Sequence, residues 1–264
     1  MWHNLGRLFR YRGLIQSLVA RELKARYRGS FLGFFWSFVN PLLLLSVYSF
    51  VFAVILPNTN KDTTPYAVFM FCGLLPWTWF SASLLDAAGS LITGGNLIKK
   101  VLFPAEVLPI VSVLSNMVHF FLGLLILAGF MIGTGHYPDW DELYWFPIVI
   151  LVQLIFMLGM SLMLSALTVH FRDIRDLLSN LLTFWFFATP IIYYYKMDSV
   201  KDFKWFFRFN PFYHLAVSYQ EVLFFHGPFG HRSSLLLLGA ASTLFFIAGY
   251  WVFDRLRDSF AEAV

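Results

Sequence analysis

The sequence predicts an all-α integral membrane protein: six transmembrane helices preceded by an amphipathic helix lying in the membrane surface. Three observations carry that prediction. Of 264 residues, 59% are hydrophobic and only 13% are charged, with mean hydropathy +0.68, whereas soluble domains are about 25% charged. Six apolar segments, at about 33–56, 66–88, 107–133, 145–169, 178–195 and 233–253, approach the roughly 20 residues that a helix needs to cross hydrocarbon. The densest positive run, RELKARYRG (21–29), abuts the apolar FLGFFW (31–36), as happens where cationic side chains flank a spanning helix at the bilayer edge.

Residues 1–32 form the interface helix. At about 100° per residue, Leu5, Leu8, Phe9, Ile15, Leu18, Val19 and Leu23 share one side. Arg7, Arg10, Arg21, Lys24 and Arg28 share the other; Arg12, Leu14 and Arg26 break the pattern. Such a helix lies in the interface with its basic face toward headgroups and water. It turns into the first span near Gly29 to Gly33. The basic segment of about thirty residues, with no short apolar core and cleavage site, is not a secretory signal. Arg21, Lys24, Arg26 and Arg28 sit where the surface helix becomes a span. There they serve either as plain anchors or as contacts to an anionic lipid headgroup, since Arg binds phosphate oxygens bidentately.

Six spans put both termini on one side. With that side cytoplasmic, 13 of the 19 basic residues are inside: seven in 1–32, then Lys99, Lys100, Arg172, Arg175, Arg255 and Arg257. Short cytoplasmic loops carry such an excess. The clustering beside apolar spans also means that the net charge of +4 does not indicate nucleic acid. Cys72 is alone, which excludes intrachain disulfides and thiolate metal sites.

Nothing here hydrolyses a nucleotide. GGNLIKKV (94–101) lacks the spacing and hydroxyl of GxxxxGK[ST], and no HExxH or GxSxG occurs. His119 in the third span reads as a packed histidine. Asp86 reads as a polar group at a helix end or as an ion site. Spans one, four and six carry no acid or His at mid-membrane, so an ion gradient is not the expected energy source. Two inner loops suggest where energy enters. In NLIKKVLFPAEVLP (96–109), Asn96, Leu97, Ile98, Lys99 and Lys100 fit a short helix that Pro104 separates from the next span. In HFRDIRDLL (170–178), Arg172, Asp173, Arg175 and Asp176 form a charged turn.

The segment 196–232 is too polar to span yet rich in Phe and Tyr. Residues 184–225 hold 17 aromatic residues in 42 positions, about twice the chain's 20%. Bilayer-edge girdles explain some of them. Stacking on the apolar faces of sugar rings would explain others. Faces that suit neither lipid nor a tight core define an expected channel wall: Trp36, Asn40 and Tyr48 on span one, and Trp185, Thr189, Tyr193 and Tyr194 at span five and its outer mouth.

The segments ELKARYRGSFLGFFW (22–36), NLIKKVLFPAEVLP (96–109), FRDIRDLLSNLLTFWFFATPIIYYY (171–195) and NPFYHLAVSYQEVLF (210–224), in this order along the whole chain, resemble ABC-2 type exporter permeases. The resemblance is greatest to the branch that exports O-antigen, teichoic acid or capsule. That family often carries Tyr at the position of Leu102 and Arg at that of Ala105. The resemblance implies one domain over 1–264: interface helix 1–32, spans one to five in 33–195, short re-entrant outer helices in 196–232, and span six with a cytoplasmic tail in 233–264. It implies a multi-pass protein of the bacterial cytoplasmic membrane, paired with a second copy of itself and with two copies of a separate ATPase. That ATPase binds the ATP and Mg, leaving no cofactor in this chain. It implies coupling through the helix at 96–100, spans one and five at the pore, and an undecaprenyl-type lipid-linked glycan as substrate. A drug or simple lipid is the alternative cargo. A lipid-using glycosyltransferase would need an acidic cluster and a larger polar loop.

Overall fold

The computed structural model describes residues 11–51, 55, 61–99, 103–196 and 204–263. The leading residues Leu5, Arg7, Leu8, Phe9 and Arg10, and Lys100, lie outside the described residues. Among those described the fold is entirely helical. Its elements are α1 (Arg12–Arg26), α2 (Trp36–Phe50), α3 (Tyr66–Thr93), α4 (Gly95–Ile98), α5 (Val107–Thr134), α6 (Phe146–His170), α7 (Ile174–Phe187), α8 (Lys204–Phe209), α9 (Pro211–Leu223), α10 (Arg232–Leu256) and α11 (Phe260–Ala263).

Among the described residues, five helical segments are long and apolar enough to cross a membrane: Gly33–Phe50, Tyr66–Thr93, Val107–Thr134, Leu143–His170 and Arg232–Ser259. Their limits fall within a few residues of the expected spans. Start and stop signals account for this. Pro147 occupies the first turn of α6, where its missing N–H costs nothing. Gly135 closes α5 at φ +69°, in the left-handed conformation that glycine adopts without strain. The chain turns between α1 and α2, with Gly29 and Gly33 at φ +77° and +51°.

α3 is the central helix, with 78% of its most apolar window buried, against 11% for α2. It packs against α5, α6 and α9, and α10 packs along α6. The α6–α10 crossing is close: a Cβ on Gly159 would sit 2.8 Å from Phe246 Cα. Small residues allow such approach where no hydrophobic force draws membrane helices together. The packing defines two ends. One gathers Ile98, Leu91, Ala105, Phe253 and Phe260 in a cluster, near Lys99, Arg172, Arg175 and Arg257; this is the basic end. The other gathers Tyr66, Tyr194, Phe224, Phe225 and Phe229 with the main core; this is the aromatic end.

The segment expected at 178–195 departs from the prediction. Its helix, α7, has 14 residues, about 21 Å long, short of the roughly 30 Å of hydrocarbon. Pro190 is the reason: it has no N–H for the carbonyl of Phe186 and disfavours helical geometry at Thr189. Within the described part of 196–232, where short outer helices are expected, the chain forms α8 and α9. Of these, α9 buries nine of 13 residues, among them Phe212, Leu215, Tyr219 and Gln220.

Candidate functional site

α7 has three faces, and one of them is incompatible with lipid. Leu178, Leu182 and Phe186 are buried against the protomer. Leu177, Leu181 and Phe184 form an exposed apolar face. Between these faces, at three- and four-residue spacing, Asp176, Ser179, Asn180 and Thr183 are all exposed. The Thr183 hydroxyl donates to Ser179 O at 3.0 Å, so its polarity is partly answered within the helix. Asn180 has no such answer among the described residues. An amide left without a hydrogen-bond partner in an apolar medium costs about 1–3 kcal/mol. This stripe therefore faces water or protein.

Beyond α7 the backbone is non-helical from Ala188 to Lys196, and side chains from elsewhere bond to its carbonyls. Asn210 Nδ2 donates to Ala188 O (3.2 Å) and to Thr189 Oγ1 (3.0 Å). Gln220 Nε2 donates to Pro190 O at 3.0 Å, and the Tyr66 hydroxyl to Ile192 O at 2.7 Å. Asn210 Oδ1 also accepts from Trp185 Nε1 (2.7 Å) and from the backbone N–H groups of Phe212 and Tyr213, capping α9. Backbone carbonyls outside helices need partners when they are buried, and this bonding supplies them. Sequence reasoning missed Asn210 and Gln220. An Asn-Pro pair opening a helix is the local signal for the former; the latter had none.

The expected channel residues fall in several settings. Trp36 is half-buried and Asn40 exposed, both beside a groove between α2, α3 and α5. Tyr48 is half-buried against the main core. Trp185 is half-buried and tied to Asn210. Thr189 is buried, with its hydroxyl donating to Trp185 O. Tyr193 is half-buried and donates to Phe187 O. Tyr194 is buried against Phe69 and Phe225. The structure brings Trp185 and Thr189 together through Asn210, and sets them apart from Trp36 and Asn40.

The four basic residues proposed for a headgroup also separate. Arg21, Lys24 and Arg28 are exposed. Arg26 is engaged: Nη2 donates to Asp86 Oδ2 (2.8 Å) and Nη1 to Asn116 Oδ1 (3.0 Å), while Asn116 Nδ2 donates back to Asp86 Oδ2 (2.8 Å). Asp86 thus has a cation as its partner. α1 itself leans on α5, with Leu18 buried beside Val107 and Val111 and with Leu14, Ile15 and Val19 packed around them. Leu14, an exception in the amphipathic pattern, belongs to this protein-facing side.

At the basic end, Asn96 and Lys99 are exposed while Leu97 and Ile98 are half-buried. Ile98 packs on the cluster containing Leu91 and Phe260. Arg172, Asp173 and Arg175 are exposed, and the Arg175 guanidinium lies over α3, 3.6 Å from where a Cβ on Gly89 would sit. Sequence reasoning also missed Glu106, a buried carboxylate in this region, which has Arg257 at 3.7 Å as its cationic neighbour among the described residues.

At the aromatic end, Glu221 holds α9 to the start of α10. Its Oε1 accepts from the Tyr195 hydroxyl (2.8 Å) and lies 2.7 Å from His231 Nδ1; Oε2 accepts from the N–H groups of Gly230 and His231. Burial alone would raise the carboxyl's pKa. The bonds and charge from His231, and the bond from Tyr195, outweigh it and hold the group below its ordinary value. Asp139 is lowered similarly, by the N–H of Gly227 and by His226. Among the described residues no group of three or more His, Cys, Asp and Glu is placed to hold a metal ion.

The long apolar helices define a membrane-embedded bundle, and one short helix in it carries an exposed polar stripe. The model of the ABC-2 type transporter family matches residues 13–224, and the chain belongs to that family. It is 41% identical over 260 residues to an O-antigen export system permease protein of Myxococcus xanthus, covering 97% of each chain. It is 33% identical over 264 residues to an O-antigen export system permease protein of Klebsiella pneumoniae, covering 99% of this chain and 98% of the other.

Proposed function

We propose that this chain is the permease of an ATP-driven exporter that carries a lipid-linked polysaccharide of the O-antigen kind across the bacterial inner membrane. The observation that carries the reading is the exposed stripe Asp176, Ser179, Asn180 and Thr183 on α7. A polar stripe on a helix of an apolar bundle needs a wet or protein-covered space, and a hydrophilic polymer crossing a bilayer needs such a space. Two copies facing each other through α7 and the sparsely buried α2 would enclose it, with Trp36, Asn40 and Tyr48 on one wall. Trp185, Thr189, Tyr193 and Tyr194 then shape the mouth at the aromatic end. The names of the relatives support a polysaccharide cargo over a drug or simple lipid.

In this reading the basic end is cytoplasmic, because Arg and Lys concentrate there, and both termini are cytoplasmic. Energy comes from a separate ATPase, two copies to the complex, which binds ATP and Mg. It docks on α4, where exposed Asn96 and Lys99 flank Leu97 and Ile98; Lys100, Arg172, Asp173 and Arg175 border the contact. Arg21, Lys24 and Arg28 meet the phosphate of the carrier lipid, an undecaprenyl-type glycan carrier, while Arg26 fixes the end of α1.

The test is export in cells lacking the chromosomal gene and complemented with Asn180→Leu/Thr183→Leu. Surface polysaccharide should fall sharply at equal membrane abundance, while Leu181→Val on the neighbouring exposed face should export normally. Normal export by the double variant would refute the assignment.

A further inference from the structure

At the aromatic end, α8, α9 and the first turn of α10 border a cavity of about 910 Å³, within the usual range for a small-molecule site of about 300–1,000 Å³. Among the described residues, none of α2 or α7 lines it, and neither does any residue assigned above to the channel wall. It is therefore distinct from the faces through which two copies are proposed to meet. Three of its side chains are exposed: Trp205 at 65%, and Lys196 and Arg208. Lys196 Nζ stands 5.3 Å from the centre of the Tyr195 ring. Neither cation has a carboxylate partner among the described residues. The hydroxyls of Tyr213 and Ser234, which also line the cavity, make no hydrogen bond there. His231 completes the polar set. Its Nδ1 faces the Glu221 carboxylate at 2.7 Å, which only accepts, so Nδ1 carries the proton and Nε2 is left as an acceptor. The cations also run against the charge rule. With the basic end cytoplasmic, five of the six remaining basic residues fall in 196–232, and the run 196–208 holds four cations against two acids. Outer segments beside a membrane are ordinarily poor in Lys and Arg, so topology gives no reason for them.

We propose that this cavity is a subsite for an acidic sugar of the exported polymer, one that bears a carboxylate or a phosphate. Charge complementarity selects the anionic group, which Lys196 and Arg208 attract, Arg with a planar fork that fits two oxygens at once. The remaining groups select a sugar. Trp205 offers a ring face to the apolar C–H face of a pyranose, while the Tyr213 and Ser234 hydroxyls and His231 Nε2 meet ring hydroxyls. An anionic lipid would use the two cations and leave those three polar groups without a partner. The subsite gives a polymer leaving at the aromatic end a contact that is electrostatic and solvent-exposed. Such a contact is weak enough to release at each step, because water and salt screen it. The inference rests on the reading of the chain as a polysaccharide permease, and adds to it that the cargo carries negative charge.

The experiment titrates two defined probes, an oligogalacturonate and a neutral malto-oligosaccharide, into the full chain alone in phosphatidylcholine nanodiscs at low salt, read by calorimetry. Wild type should bind the acidic probe about tenfold more tightly, the effect of one charge-assisted hydrogen bond, and added salt should erase the difference. Lys196→Gln/Arg208→Gln should bind both probes equally; both side chains are exposed, so the fold should not suffer. Trp205→Ala should weaken both probes. Equal binding of the two probes by wild type, no binding of the acidic one, or a preference that survives the double Gln variant would overturn the proposal. So would loss of acidic binding when phosphatidylglycerol is added to the nanodisc, which would give the cations to a lipid phosphate. The permease reading fails separately: it falls if Asn180→Leu/Thr183→Leu exports normally, whereas a failed titration beside impaired export in that variant removes the subsite alone.

Discussion

Replacing Asn210 should loosen α7 from α9 by an amount that its bonds allow one to work out. The side chain is 8% exposed, and it accepts three hydrogen bonds and donates two. Loss of the cap on α9 costs about 1 kcal/mol. Leaving the Trp185 N–H without its acceptor costs about 1–3 kcal/mol, and the freed Ala188 carbonyl adds about 1 kcal/mol more. These groups are neighbours, so their contributions do not add fully. A loss of about 3 kcal/mol, on the order of a hundredfold in the equilibrium, is the expectation for Asn210→Ala. For a chain of this size, thermal unfolding in nanodiscs should fall by roughly 6–12 °C. Asn210→Asp keeps the cap and the acceptor for Trp185 but loses both donated bonds, and it should fall in between. If Asn210→Ala melts within a degree of wild type, the side chain does not hold the non-helical stretch in place. Equal melting of the Ala and Asp variants would show that its donated bonds carry the whole effect.

Three further outcomes are expected. Asn96→Arg/Lys99→Glu should abolish co-purification of the ATPase at normal abundance of the permease, whereas Ile98→Asp should also lower abundance, because Ile98 packs on the cluster with Leu91 and Phe260. Glu221 has a folded-state pKa below its ordinary value, so its contribution to stability is present at neutral pH. That contribution is lost as pH falls from about 4.5 through the lower folded value; melting curves should show an acid-side loss that Glu221→Gln flattens. Cysteines at Ser234 and Ser259 in a Cys72→Ser background should label from outside and not label, respectively, with an impermeant thiol reagent; labelling of Ser259→Cys in sealed cells would reverse the orientation.

Long spans were legible in the sequence because hydropathy over about twenty residues is a cumulative signal that no single substitution disturbs. Asn210, Gln220 and Glu221 were not legible as a group. Each is one polar residue in an aromatic-rich stretch, and each has a role only through a partner brought close by folding: Trp185 and Ala188, Pro190, Tyr195 and His231. The same holds for Arg26. On a helical wheel it was an exception to the amphipathic pattern, and its reason lies 60 residues away at Asp86.

The short fifth helix ties these residues to transport. Hydropathy counted the apolar residues of 178–195 as a span, but it is insensitive to Pro190 and to the spacing of Ser179, Asn180 and Thr183. Extending α7 by another eight residues would need a helical Thr189 and a donor at Pro190, and the sequence supplies neither. The chain instead leaves the helix and places its carbonyls against Asn210, Gln220 and Tyr66, all of them on elements of the aromatic end. A helix stopped short beside a polar stripe leaves depth at that end with no α7 backbone to fill it, and α9 occupies that depth with a buried face. Export in this reading requires the aromatic end to open and close. Moving α9 for that purpose would break its polar ties to α7 through Asn210 and to α10 through Glu221, and it would expose Phe212, Leu215 and Tyr219 of the main core, so α9 is the costly element of any such opening.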